Sequence, residues 1–418
     1  MIAVIMAGGK GTRLSSISKD VPKPMVSIGG MPILERQINN LKDFGIKHII
    51  IVVGYLGDVI KDYFKDGKNF GVNIEYITET VPLGSGGSLY YLKGKIKEDF
   101  LLIFGDIIFS IDFNRFIDFH KSNKAKITLF AHPNSHPYDS DLLKINKNNQ
   151  VIQLDSKNNT RNYYYKNLVN AGLYVLSNEV LDRIPDLKKR DLEKDIILPC
   201  INKEEVYAYQ SSEYVKDAGT PDRYFSINQD IKNGIVEKRN LRNKQKCIFL
   251  DRDGTINLYK GFVTKESDFE LIPGVAETIK SINNSQYLAI VITNQPVIAR
   301  GDTTFEELDN IHNKMETLLG EEGAYLNAIY FCPHHPDKGF PGEVKELKIN
   351  CDCRKPKIGL LLQAQKKFNI DFSQSYFIGD SDIDVQTGNN AGCKSIKIRT
   401  DNCEDLSKAI DSIIKDNF

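Results

Sequence analysis

Two aspartates one residue apart, Asp251 and Asp253, follow a short apolar run at 247–250 and precede Gly254 and Thr255. One carboxylate can attack phosphorus and the other can carry a proton, if a divalent cation offsets their charge. Such a pair belongs just beyond the carboxyl end of a buried strand, where open α/β sheets place ligands. Taken alone, the same residues could be solvated loop acids. Their order along the chain argues otherwise. Thr293-Asn294 follows an apolar run at 287–292, and Gly379-Asp380 follows another at 375–378.

A second constellation lies between these motifs. Cys332-Pro-His334 and Cys351-Asp-Cys353 supply three sulfurs and one nitrogen. That donor set suits tetrahedral Zn²⁺ with no open position, hence a structural ion. His335 is an alternative to His334, though the Cys-x-His spacing favours His334. Arg354-Lys355-Pro356 follows the last cysteine at once. The adjacency suggests that zinc braces the loop that presents Arg354 and Lys355.

A third pattern opens the chain. The apolar run 2–6 leads into Ala7-Gly8-Gly9-Lys10-Gly11-Thr12-Arg13-Leu14. Glycines there let backbone N–H groups approach a phosphate, and Lys10 and Arg13 add positive charge. A plain tight turn would read the same way. Val21-Pro-Lys-Pro-Met25 adds Lys23 on a stiff Pro-x-Pro segment.

These groups need a scaffold, and the patterning supplies one. Helical spacing is expected over 32–44 and 221–232, and strands over 48–53 and 100–104. In the second half, strands are expected at 247–250, 287–292, 326–331, 375–378 and 394–398, with helices at 304–319, 358–368 and 406–414. Alternating strands and helices imply α/β domains, each a mostly parallel sheet flanked by helices. The expected division is 1–236, a linker at 237–246 following the Asn233-Gly234 turn, and 247–418. A chain of 418 residues suits two domains. Lys+Arg and Asp+Glu both number 55, so nothing calls for nucleic acid or an acidic membrane. No apolar stretch reaches the roughly 20 residues that cross a bilayer. The N-terminal apolar run is too short for a signal peptide and lacks a basic leader. The expectation is a cytoplasmic protein acting on small molecules, with oligomeric state left open.

The first 230 or so residues resemble the sugar-1-phosphate nucleotidyltransferases, through Gly8–Leu14 and Pro22–Pro24. The resemblance places Ala7, Gly8, Gly9, Gly11, Thr12, Gly84 and Gly86 around the nucleotide. It implies Mg²⁺ on Asp106 and Asp217, Arg13 at the leaving pyrophosphate and Lys23 at the attacking phosphate. Asn170 and Gly172 fall in the segment that contacts the sugar. Lys157 stands near a family lysine site. The run is most similar to the branch that activates mannoheptose with GTP, while other branches use other bases.

Residues 247–418 resemble the haloacid-dehalogenase-like phosphatases, a fold with no large cap here. That implies Asp251 as nucleophile, Asp253 as proton carrier, and Thr293 and Asn294 on phosphate oxygens. Lys355 would neutralise charge, and Mg²⁺ would sit on Asp251, Asp253 (through its carbonyl) and Asp380. The zinc pattern is similar to two relatives, the heptose 1,7-bisphosphate 7-phosphatases and the histidinol-phosphatases. Substrate choice is expected to rest on 259–262 and 293–300. Arg300 and Gly261 fit the heptose enzymes, and Pro296 stands where those carry serine. Together the halves imply dephosphorylation of heptose 1,7-bisphosphate at C7, then GMP transfer from GTP to heptose 1-phosphate, for a surface glycan such as lipopolysaccharide, capsule or S-layer. The alternative is another sugar-nucleotide pyrophosphorylase fused to a histidinol-phosphatase-like domain.

Overall fold

The computed structural model describes residues 1–9 and 21–415. Lys10, Gly11, Thr12, Arg13 and Leu14 lie outside the described residues. Two compact units emerge. One holds Met1–Ala131, Leu143–Asp155 and Asn170–Asn240; the other holds His132–Leu142, Ser156–Val169 and Leu241–Phe418.

In the first unit, strand Ile2–Ala7 runs parallel between His48–Val53 and Phe100–Phe104. All three are buried nearly throughout, as expected of strands covered on both faces. Val169–Leu176 then pairs antiparallel with Phe100–Phe104, so the parallel core continues as a mixed sheet. Helix Ile33–Asp43 buries Ile33, Leu34, Ile38 and Leu41 on one stripe, at the spacing the sequence predicts. A short antiparallel pair, Ile107–Ser110 with Tyr214–Asp217, brings Asp217 opposite Ile107. The Ala218 N–H donates to the Asp106 carbonyl at 2.9 Å. This pairing, invisible in the sequence, sets the two acidic segments side by side.

The second unit is built on five parallel strands in the order Ala328–Cys332, Tyr287–Asn294, Lys246–Leu250, Tyr376–Gly379, Lys394–Lys397. Parallel strands point their carboxyl ends the same way. Asp251, Asn294 and Asp380 therefore gather at one edge. The third strand begins at Ala328, later than the expected 326, and carries Cys332 as its last residue.

Helix Phe305–Glu321 starts at Thr304, whose hydroxyl accepts from the Glu307 N–H. Its inner face carries polar groups as well as apolar ones. The Thr317 hydroxyl donates to the Tyr165 carbonyl at 3.0 Å and accepts from the Tyr165 N–H at 2.8 Å. Glu316 is 7% exposed. Burial pushes its carboxyl up to about 7, against the pull of Lys166 and the Asn167 N–H. A carboxyl that holds its proton more tightly folded than unfolded costs stability as pH rises from the unfolded value to the folded one. Glu316→Gln stays neutral throughout. We expect it to raise stability at pH 8 by up to about 3 kcal/mol and to change little at pH 5. Urea midpoints at the two pH values check this.

Candidate active sites

Asp251 follows the central strand of the second unit. Its Oδ1 accepts from the Arg252 N–H at 2.8 Å and lies 2.7 Å from the Lys355 ammonium. Both donors fall on one oxygen, which leaves Oδ2 to face a phosphorus. Lys355 also reaches Asp384 Oδ1 at 2.6 Å. Burial alone would lower the lysine, but the two carboxylates outweigh it and raise it. Burial also lifts the Asp251 carboxyl well above the usual carboxylate range, with Lys355 pulling it back.

Asp384 is a site residue that the motif reading passed over. It sits at the third position of helix Asp382–Ala391, in a reciprocal cap with Ser381. Its Oδ2 takes the Ser381 hydroxyl and N–H, and its Oδ1 takes Lys355. The Asp380-Ser-Asp-Ile-Asp384 spacing carried that signal, since a Ser-x-x-Asp box opens helices. Oxygens of Asp251, Asp380 and Asp384 lie within 4.8 Å of one another. Three carboxylates and one ammonium leave two negative charges, which a divalent cation would balance. The oxygen-only donor set suits Mg²⁺. Gly254 shapes the same edge. Its φ is +77°, and a Cβ there would lie 2.4 Å from Asp380 Oδ2.

Asp253 is gripped by neighbours. Its Oδ1 accepts from Asn257 at 3.0 Å and its Oδ2 from Gln295 at 2.9 Å. Arg252 donates to both oxygens. Burial would raise this carboxyl, and Arg252 reverses the shift. Thr293 is buried and its hydroxyl accepts from Gln295. Asn294, expected at phosphate oxygens, engages Lys355 with its amide. Its Oδ1 accepts from the Lys355 N–H at 3.0 Å and its Nδ2 donates to the Lys355 carbonyl at 3.2 Å. The Arg300 guanidinium lies 4.6 Å from the Phe262 ring and 4.4 Å from Phe340.

The sulfur cluster assembles as Cys332, His334, Cys351 and Cys353. The sulfurs are 3.2–3.5 Å apart, and His334 Nδ1 is 3.2 Å from Cys353. These separations are far too long for disulfides. They approach the edge of a zinc tetrahedron, about 3.8 Å for Zn–S bonds near 2.3 Å. His335 points elsewhere, accepting from the Asp337 N–H. Arg354 donates to the His334 carbonyl at 3.2 Å, tying the cluster to the loop that holds Lys355.

In the first unit, Lys23 forms an ion pair with Asp106 at 2.5 Å. Asp217 is held by Arg223, at 2.7 and 2.8 Å. Gly8 approaches Glu79 so closely that a Cβ would meet its Oε2 at 2.4 Å. Glu79 Oε1 is buried without a hydrogen-bond partner among the described residues. Gly84 and Gly86 were expected around the nucleotide. Within the chain, Gly84 closely approaches the Arg190 backbone, and Gly86 the Ile196 side chain and the Leu192 backbone. Asn170 donates to the Tyr174 hydroxyl at 2.9 Å, and Gly172 lies against the Phe104 ring. Lys157 is exposed, and its backbone N–H donates to Asp141. No helix among the described residues is long and apolar enough to cross a membrane.

The profile of the nucleotidyl transferase family matches residues 2–234, and that of the HAD-hydrolase-like family matches residues 352–415. A mannose-1-phosphate guanylyltransferase from Mycobacterium tuberculosis is 32% identical over 244 residues, 57% of this chain and 67% of that protein. A D-glycero-beta-D-manno-heptose-1,7-bisphosphate 7-phosphatase from Yersinia pestis is 42% identical over 156 residues, 37% of this chain and 80% of that protein. A solved structure assigned as a glucose-1-phosphate thymidylyltransferase from Bacillus anthracis covers 55% of this chain and 94% of its own, with a TM-score of 0.50. At 23% identity that likeness speaks for the fold alone. The chain therefore belongs to the nucleotidyl transferase family and carries, in the same polypeptide, a phosphatase of the haloacid-dehalogenase-like kind.

Proposed function

We propose that the two sites act in sequence on one sugar: residues 247–418 remove the 7-phosphate from heptose 1,7-bisphosphate, and residues 1–236 transfer GMP from GTP to the resulting heptose 1-phosphate. One observation carries this reading. The phosphatase relative acts on a sugar bisphosphate, and the transferase relative is a guanylyltransferase for a sugar 1-phosphate. Removing the 7-phosphate leaves the anomeric phosphate intact, ready for the second site.

In the phosphatase, Asp251 Oδ2 forms a bond to phosphorus while Asp253 protonates the departing C7 oxygen. Water then attacks the aspartyl phosphate, with Asp253 taking its proton. Lys355 offsets charge on the nucleophile, and Asn294 fixes the lysine's backbone. Asp251, Asp380 and Asp384 would hold Mg²⁺, with the Asp253 carbonyl as a further ligand. Bound there, the cation lowers the repulsion between carboxylate and phosphate. Cys332, His334, Cys351 and Cys353 would hold a structural zinc.

In the transferase, Asp106 and Asp217 would hold Mg²⁺, which neutralises the phosphates. Lys23 would orient the attacking phosphate and Arg13 the leaving pyrophosphate. Lys23 and Asp106 neutralise each other until substrates arrive. The product, GDP-D-glycero-α-D-manno-heptose from the α-bisphosphate, would feed a surface glycan from the cytoplasm.

Incubation with heptose 1,7-bisphosphate, GTP and Mg²⁺ should yield GDP-heptose. Asp106→Ala should halt the sequence at heptose 1-phosphate. Loss of a metal ligand should exceed the roughly 10–100-fold cost of losing an outer-shell partner. Offering α- and β-bisphosphates with each of the four nucleoside triphosphates fixes anomer and base. Failure to consume any heptose bisphosphate would sink the reading.

A further inference from the structure

Arg252 stands between the two aspartates and is fully buried, with 0% exposure. A guanidinium is seldom buried without a partner that needs it. Its Nη2 donates to Asp253 Oδ1 at 2.8 Å and Oδ2 at 2.9 Å, and its Nε to Oδ1 at 3.1 Å. The fork thus fixes the plane of the carboxylate, which a point charge could not do. On the far side, Nη1 faces His312 Nε2 at 3.4 Å. His312 is buried on helix Phe305–Glu321, its ring tilted 56° against that of Phe331. Burial, and next the guanidinium beside it, keep the imidazole neutral, so Nε2 can accept.

We propose that Arg252 is a positioning residue for Asp253, and that His312 holds Arg252 in that orientation from behind. The inference rests on the aspartyl-phosphate reading of this site. In the first half-reaction the Asp251 O–P bond forms, the P–O bond to C7 breaks, and the alkoxide takes the Asp253 proton. In the second, water oxygen bonds phosphorus, the Asp251 O–P bond breaks, and Asp253 regains a proton. Both halves need Asp253 in one place. Neither needs Arg252 to touch substrate.

Arg252→Lys keeps the charge and loses the fork. With heptose bisphosphate, kcat should fall about 100-fold while KM moves less than about threefold, within the range of general acid–base effects. With 4-nitrophenyl phosphate, the leaving group departs without a proton. First-turnover release of nitrophenolate should stay within about threefold of wild type. The water step should slow, giving a burst of about one nitrophenolate per site. His312→Leu should show the same pattern more weakly, and His312→Gln, which keeps an acceptor, should restore wild-type behaviour. The histidine pair carries the test if Arg252→Lys does not fold. Equal slowing of both first turnovers, or no burst, overturns the proposal. A wild-type enzyme that forms no labelled aspartyl phosphate would instead overturn the reading beneath it.

Discussion

Asp251→Asn should leave heptose 1,7-bisphosphate unconsumed, while guanylyl transfer to supplied heptose 1-phosphate should continue at the wild-type rate. The amide cannot form the acyl phosphate, so the loss should be on the order of 10⁴-fold or more, the scale seen when a covalent nucleophile is removed. The amide keeps the shape of the side chain. It removes one of the two carboxylates paired with Lys355, so the local charge becomes less negative and folding should survive. Released phosphate measures the first reaction and pyrophosphate the second. If Asp251→Asn still releases phosphate from the bisphosphate, the nucleophile is another group.

Disruption of the sulfur centre should silence the same half of the chemistry by a different route. Cys353 immediately precedes Arg354 and Lys355. Arg354 is tied to the His334 carbonyl, and the Lys355 ammonium lies 2.7 Å from Asp251. Cys353→Ser removes one of four donors and releases the loop that sets this lysine. Phosphatase kcat should fall at least about tenfold, while guanylyl transfer stays within about twofold. Metal analysis should find about one zinc per wild-type chain, and less in the variant. Equal losses in both activities would argue that the centre supports the whole chain rather than this loop.

How much was legible follows from what each feature depends on. The strand ends at Asp251, Asn294 and Asp380 were readable because short apolar runs stop at acid or amide. Parallel pairing then gathers them automatically. The cysteine pairs were readable because spacing alone fixes their donor set. Asp384 was harder. In sequence it is one acid in an acidic run, and its role comes from a lysine that arrives from another loop. Arg252 reads as a spacer between two aspartates. That it turns inward, and that His312 meets it from a helix sixty residues later, is tertiary information. In the first half, the Gly84–Gly87 run was placed at the nucleotide by resemblance; its packing against Lys188, Arg190, Leu192 and Ile196 had no signal in the sequence. The adjacency of Asp106 and Asp217 depends on a strand pair with no local signature.

The make-up of the second unit bears on the order in which the chain can be completed. Residues 132–142 and 156–169 belong to it, yet they leave the ribosome well before the helix they pack with, Phe305–Glu321. Tyr165 must wait for Thr317, its backbone partner. Units generally fold as they emerge, the N-terminal one first. Here the early unit must form while these two segments wait, and the late unit must complete itself with them. Contacts of such long sequence separation slow folding. The backbone of Tyr165 and the N–H of Asn167 find their partners, Thr317 and Glu316, only once that helix is in place.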